Sequence, residues 1–181
     1  WSHGRCDTVI PQFSSRVLDG CVRLHTLSDP RFKEVFVQAG FRIPLAADSG
    51  VVALCVATLL RGTRSCPDTT ALARRGEELY GTHVDATLTR SGENLGVLLS
   101  VSSVAGCRLP EDPLPGALAL LEETLMDPPA TGTSEILEEE CGHHLNYLRS
   151  MRDDRGVWAR HRALQVMCEG EPYSNDPQGT E

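Results

Sequence analysis

Residues 82–104 constrain the fold more than any other stretch. Residues 82–90 alternate polar and apolar side chains, Ser91-Gly92-Glu93-Asn94 reads as a turn, and residues 95–104 return as a second run. Alternation with a period of two sends successive side chains to opposite faces of a strand, and a short Gly-bearing turn between two such runs closes a β-hairpin. This hairpin supplies antiparallel sheet, so the chain needs helices or a second sheet to cover its apolar face.

Residues 21–44 read as another hairpin. Val22, Leu24 and Thr26 alternate with Arg23 and His25, Ser28-Asp29-Pro30 marks a turn, and Glu34, Phe36 and Gln38 alternate with Val35 and Val37. Gly40 breaks that run, with residues 41–44 resuming it. Asp48 or Ser49 is placed to cap a helix over the apolar residues 51–60, which Gly62 stops. A helix apolar all round is expected to be buried on all sides. Asp68 or Thr69 caps a second helix ending at Tyr80-Gly81, with Leu72, Ala73, Arg75 and Leu79 on its amphipathic face. Three prolines break residues 107–115. Beyond them Ala117, Leu118, Leu121, Leu125 and Met126 form one helical stripe that Pro128-Pro129 ends. Ser134 caps a helix over residues 135–152 anchored by Ile136, Leu137, Leu145 and Leu148. A further helix over residues 157–168 carries Trp158, Leu164 and Met167, and residues 170–181 form a turn-rich tail. The expected class is α+β: an antiparallel sheet from two hairpins with helices packed on one side, in a single domain over residues 1–181.

A chain of 181 residues, 40% hydrophobic and 23% charged, can bury a core without disulfides or a structural metal. Its formal charge of −8 argues against nucleic acid and anionic membrane as partners, since both call for a dense basic field. Arg149, Arg152, Arg155, Arg160 and Arg162 are a partial exception that Asp153 and Asp154 dilute, and read as a solvated helical surface. Aromatic side chains are 5% of residues, too few for a base-stacking platform. The apolar run at 51–60 is far short of the roughly 20 residues of a membrane span. The first residues show no secretory pattern, and the missing initiator Met suggests a cropped or processed chain. Cys6, Cys21, Cys55, Cys66, Cys107, Cys141 and Cys168 are odd in number and widely spaced. They are expected to be reduced, mostly buried thiols in a cytoplasmic protein.

Several strings stand in a telling order: Leu59-Leu60-Arg61-Gly62-Thr63, Glu77-Glu78-Leu79-Tyr80-Gly81, Gly92-Glu93-Asn94 and Cys168-Glu169-Gly170-Glu171-Pro172-Tyr173. With their spacing, they resemble the N-terminal part of insulinase/pitrilysin-type peptidases over residues 22–173. The nearest likeness is to bacterial insulinase-like subunits that lack zinc ligands and occur beside an active relative. The resemblance implies one half of a clamshell arm, part of a longer chain.

Active members of that family carry His-x-x-Glu-His on the first long helix, shortly before Gly-Thr. Two imidazoles at i and i+4 share a helical face and bind one Zn²⁺, and the Glu serves the bound water as general base. Registering Arg61-Gly62-Thr63 on the family pattern puts Ala53 and Ala57 at the histidine positions and Val56 at the glutamate. None can bind metal or move a proton, and residues 49–60 contain no His, Asp or Glu in any register. The family's later pair of glutamates seven positions apart is also broken: Glu138-Glu139-Glu140 is followed at that spacing by Leu145, Asn146 and Tyr147. No zinc, no other cofactor and no metallopeptidase activity of its own are therefore expected.

The sharpest rival site is Glu140, Cys141 and His144, whose i, i+3 and i, i+4 spacing could offer ligands to Zn²⁺. A polar helical surface with one half-buried Cys is the plainer reading, because nothing forces a fourth ligand nearby. Thiol nucleophiles built on Cys55, Cys141 or Cys168 are disfavoured, Cys55 above all because it lies in the most apolar helix. Isolated His25, His83 and His161 read as surface or satisfied polar residues. The expected function is a catalytically inactive peptidase-like subunit. It would form chamber wall and a peptide- or small-protein-binding surface alongside an active zinc-peptidase homologue or a second half-domain. The alternatives are a purely structural scaffold, or an enzyme of the family with a metal site near Cys141 and His144.

Overall fold

In the computed structural model, residues 12–46, 48–127 and 133–180 are described. Their contacts divide the chain into two compact units, one up to Lys33 and one from Glu34 onward.

The first unit holds strands β1 (Ser14–Leu18) and β2 (Val22–Thr26), paired antiparallel from Ser14↔Thr26 to Leu18↔Val22. This corrects the hairpin expected over residues 21–44. Residues 22–26 do form a strand, but its partner is the preceding segment. Asp19 and Gly20 both take positive φ, 44° and 77°, and reverse the chain between the two strands. The turn at Asp29 is real: its carboxylate accepts from the Arg31 backbone N–H at 3.1 Å and the Arg31 guanidinium. It is a connection, however, and not a hairpin loop.

The second unit is α+β. Strand β3 (Glu34–Pro44) is followed by helices α1 (Ser49–Leu59) and α2 (Thr69–Glu78). Strands β4 (His83–Ser91) and β5 (Asn94–Val104) come next, then helices α3 (Leu114–Met126), α4 (Thr133–Asp153) and α5 (Arg155–Met167). The sheet order is β3-β5-β4, antiparallel throughout. β4 and β5 meet at Ser91↔Asn94 around Gly92-Glu93, with φ 60° at Gly92, as the sequence predicts. β3 runs unbroken through Gly40, which pairs with Leu98, so the expected interruption is absent. A Cβ at Gly40 would sit 3.2 Å from a Leu98 methyl, which accounts for a glycine inside a regular strand.

The helices cover one face of the sheet. Val84, Leu99 and Val101 form a buried cluster with Ala117, Leu120 and Leu121 of α3, and Leu60, Leu72 and Leu79 pack against it. Period-two burial follows: Val84 is buried, Ala86 and Leu88 are half-buried, and Asp85, Thr87 and Thr89 are exposed. Asp68 caps α2, its carboxylate accepting from the Ala71 N–H at 2.7 Å. Four stripes differ from expectation. On α4, the expected anchors Leu137 and Leu145 are exposed, while Leu148 is buried. On α2, Arg75 and Ala73 are exposed and the inner face is Leu72, Gly76 and Leu79. On α3, Leu118 and Met126 are exposed, while Leu120 and Thr124 turn inward. The Thr124 hydroxyl is satisfied by donating to the Leu120 carbonyl at 2.8 Å, so a polar residue fits the core. On α5, Met167 is exposed, while Trp158 and Leu164 are half-buried. Pro128-Pro129 lies outside the described residues.

Candidate functional site

Helix α1 is bounded by local chemistry. Asp48 takes the N-cap position without a side-chain bond, and the buried Ser49 hydroxyl instead donates to the Ala46 carbonyl at 2.7 Å. The helix stops at Leu60, and Arg61-Gly62-Thr63 turns the chain toward α2. Gly62 has φ 153°, and a Cβ there would meet the Cys66 carbonyl oxygen at 2.6 Å, so only glycine fits. Thr63 is fully buried. Its N–H donates to the Cys66 carbonyl at 2.7 Å, and its hydroxyl accepts from the Cys66 N–H at 3.0 Å. Gly-Thr thus locks the exit of α1 whether or not α1 carries chemistry.

Of the three positions registered on the zinc motif, Ala53 is 5% exposed, Val56 is 7% exposed and Ala57 is half-buried. They are apolar packing positions on the inner side of α1. The outer side is open: Val51 is 61% exposed and Cys55 is exposed as well. This corrects the expectation that α1 is buried all round, and Cys55 with it. Among the six described cysteines, all of them free thiols, Cys66 is the buried one.

Helix α4 packs against α1 and brings up the acidic run. The Arg61 guanidinium donates to Glu139 and lies 3.3 Å from a Glu140 carboxylate oxygen. Glu140, with a side chain 14% exposed, is therefore held by a cation from the end of α1. One helical turn on, the His144 Nε2 lies 2.7 Å from the Gln178 carbonyl, so Nε2 carries the proton and donates it. Glu140, Cys141 and His144 thus share a helix, but two of them are engaged elsewhere. Among the described residues no group of three or more His, Cys, Asp and Glu is arranged to hold a metal ion. A cavity of about 280 Å³ lies between the two helices, lined by Val51, Leu54, Cys141, His144, Leu145 and Leu148.

The tail is folded onto this unit, which sequence reasoning missed. Arg90 donates to the carbonyls of Tyr173 and Asn175 at 3.1 and 3.3 Å and stacks over the Tyr173 ring. His161 on α5 lies 2.8 Å from the Asp176 carboxylate through Nδ1. Arg162 donates to the Gln165 amide oxygen at 2.5 Å, so the Gln165 amide nitrogen faces His161 Nε2 at 2.8 Å. Nε2 then accepts, and Nδ1–H donates to Asp176. Gly50 and Gly179 meet backbone to backbone, a Cβ on Gly179 falling 2.6 Å from the Gly50 Cα. These anchors join residues 15 to 129 positions apart, so no local signal announces them.

No family model matches the chain. Among curated proteins it is similar to the probable inactive metalloprotease YmfF of Bacillus subtilis (strain 168), with 30% identity over 161 residues. That match takes in 86% of this chain and 38% of the relative, so the chain spans well under half of the relative's length. Among solved structures, a conserved protein from Enterococcus faecalis V583 superposes with a TM-score of 0.80 at 22% identity, over 87% of this chain and 39% of that one. The crystal structure of pitrilysin superposes with a TM-score of 0.63 at 18% identity, over 96% of this chain and 18% of that one. At these identities the two structures speak for the fold.

Proposed function

Since this chain is an insulinase/pitrilysin-like protein without the zinc motif, we propose that it is a non-catalytic peptidase-like subunit. In this reading it forms part of the wall of a chamber and a surface for peptides or small proteins, while an active zinc-peptidase homologue or a second half-domain completes the unit. The observation that carries the reading is the state of α1. The helix ends in the tight Gly62-Thr63 turn, and its inner positions Ala53 and Val56 are packed and hold no group that can bind metal or transfer a proton.

A chain of this kind contributes through surface and shape, and fold alone does not fix which partner it meets. The test is hydrolysis of a fluorogenic peptide library by this chain, by a relative carrying His-x-x-Glu-His from the same genome, and by the two together. The proposal expects no turnover from the chain alone, and at least a tenfold higher kcat/KM or an altered sequence preference for the pair. Turnover by the isolated chain would refute it. A pair no different from the active relative alone would favour a scaffold without peptide binding.

A further inference from the structure

Residues 170–179 run from the end of α5 back to the start of α1 as a strap, tied in sequence order to four elements. Arg90 of β4 donates to the Tyr173 and Asn175 carbonyls, and His161 of α5 donates to Asp176. His144 of α4 then donates to the Gln178 carbonyl, and Gly179 lies against Gly50 at the start of α1. Every anchor has both partners within the described residues. No side chain of the strap belongs to the buried apolar core, whereas β5 is packed on α3 through Leu99, Val101 and Leu120. Water can replace the strap's polar bonds, and a segment held in that way opens locally before the whole unit unfolds. Its two ends suit such a motion. Gly170 and Gly179 take φ of 84° and 78°, and a Cβ at Gly170 would meet nothing within 4 Å, so crowding does not account for that glycine.

We propose that residues 170–179 are a hinged strap that opens as one unit, with the His161–Asp176 bond as its catch, and that its opening governs access to the Cys141 and His144 side of the α1–α4 cavity. The strap is a wall shared by two cavities. Asp176 and Gln178 line one of about 200 Å³ beside Arg90 and His161, and Gln178 and Gly179 line the one of about 280 Å³ that holds Cys141 and His144. His161 is held ready for Asp176 from two further sides: Trp158 stacks on its ring at 5.4 Å, and the Gln165 amide donates to Nε2. The side chains of His161 and Asp176 are 15% and 14% exposed. Asp176 also builds the turn that follows it. Its carboxylate accepts from the Gln178 N–H at 2.7 Å, and its carbonyl accepts from the Gly179 N–H at 2.9 Å. That turn presents the Gln178 carbonyl to His144, so freeing Asp176 loosens the hold on both histidines together. The device is internal to this unit and holds whether or not the chain binds peptides.

Alkylation of the 181-residue chain with iodoacetamide, mapped to each cysteine by peptide mass spectrometry, tests the proposal. Asp176→Ala removes the catch and should speed reaction at Cys141 by about fivefold or more, with Cys55 and Cys66 left at the parent rates. Cys55 is exposed and Cys66 is buried elsewhere in the unit, so the two report reagent reactivity and global unfolding. A Cys141 rate unmoved by Asp176→Ala overturns the proposal, and so does a rise shared by Cys66, which would mean global destabilisation. If Asp176→Ala does not fold, amide hydrogen exchange of the parent decides. The Asn175, Gln178 and Gly179 amides should then share one opening constant, about a hundredfold or more above that of β5. Three unrelated constants, or a constant equal to that of β5, would overturn it.

Discussion

The β5–α3 layer and the α1–α4 layer of the same unit are built on different terms. In the first, Leu95, Leu99, Val101, Ala117 and Leu120 are all 3% exposed or less, and the buried Thr124 hydroxyl is satisfied within its own helix. In the second, Val51 and Leu145 stay open and a cavity of about 280 Å³ lies beside the contact of the two helices. Polar contacts add to this layer, Arg61 on Glu139 and Glu140, and His144 on the Gln178 carbonyl. Interior packing is close to crystalline density and resists change, whereas a loosely packed, ion-paired layer tolerates it. The fold is therefore held by a layer that does no chemistry. On α1 the cavity-lining residues Val51 and Leu54 belong to the open layer, while the inner positions Ala53 and Val56 are packed as tightly as a core.

The largest effect should come from placing ligand side chains on α1. Ala53→His, Val56→Glu and Ala57→His together insert three ionisable groups, two of them at buried positions. In the absence of metal they should cost about 4 kcal/mol or more, read as a drop in Tm. Ala57→His alone should be the mildest of the three, because Ala57 is only half-buried. An unchanged melt for the triple variant would break the comparison at its root. Next in size, Leu99→Ala in the dry layer should cost about 3 kcal/mol. Leu145→Ala on α4, at 38% exposure, should cost under about 1 kcal/mol by denaturant titration. Equal costs would show the two layers to be packed alike.

Much of this division was legible in the sequence and some was not. Period-two alternation around Gly92 fixed β4 and β5 to within a residue or two, and Asp68 announced α2, because both signals are local. The partner of β2 was not legible. Residues 14–18, SSRVL, carry too little apolar alternation to declare a strand, while the Asp29 turn imitates a hairpin loop. The absence of ligands along α1 follows from composition in any register. Which side of α1 is covered does not, because a helix apolar all round carries no marker for its buried face. Arg61 reaches Glu139 across 78 positions, and only tertiary structure brings them together.

Arg61→Met removes the cation that holds Glu139 and Glu140, and leaves Glu140 mostly covered and unpaired. The expected loss is about 1 kcal/mol, diminishing in high salt because Glu139 is largely exposed. The smallest effect lies in the first unit. The Arg31 guanidinium bonded to Asp29 holds that carboxyl below its ordinary value of 3.8. A depressed carboxyl contributes stability above its unfolded value, and that contribution is lost as the pH falls through the folded one. Asp29→Asn should therefore lower stability slightly at neutral pH, with the difference from the parent fading as the pH falls below about 4, as followed by circular dichroism.

The account rests on α1 being a packing helix, and zinc stoichiometry tests that most directly. Elemental analysis of the chain purified without chelator, followed by calorimetric titration with Zn²⁺, should give far less than one zinc per chain and no tight binding. One tightly held zinc per chain would contradict the account and return attention to Glu140, Cys141 and His144.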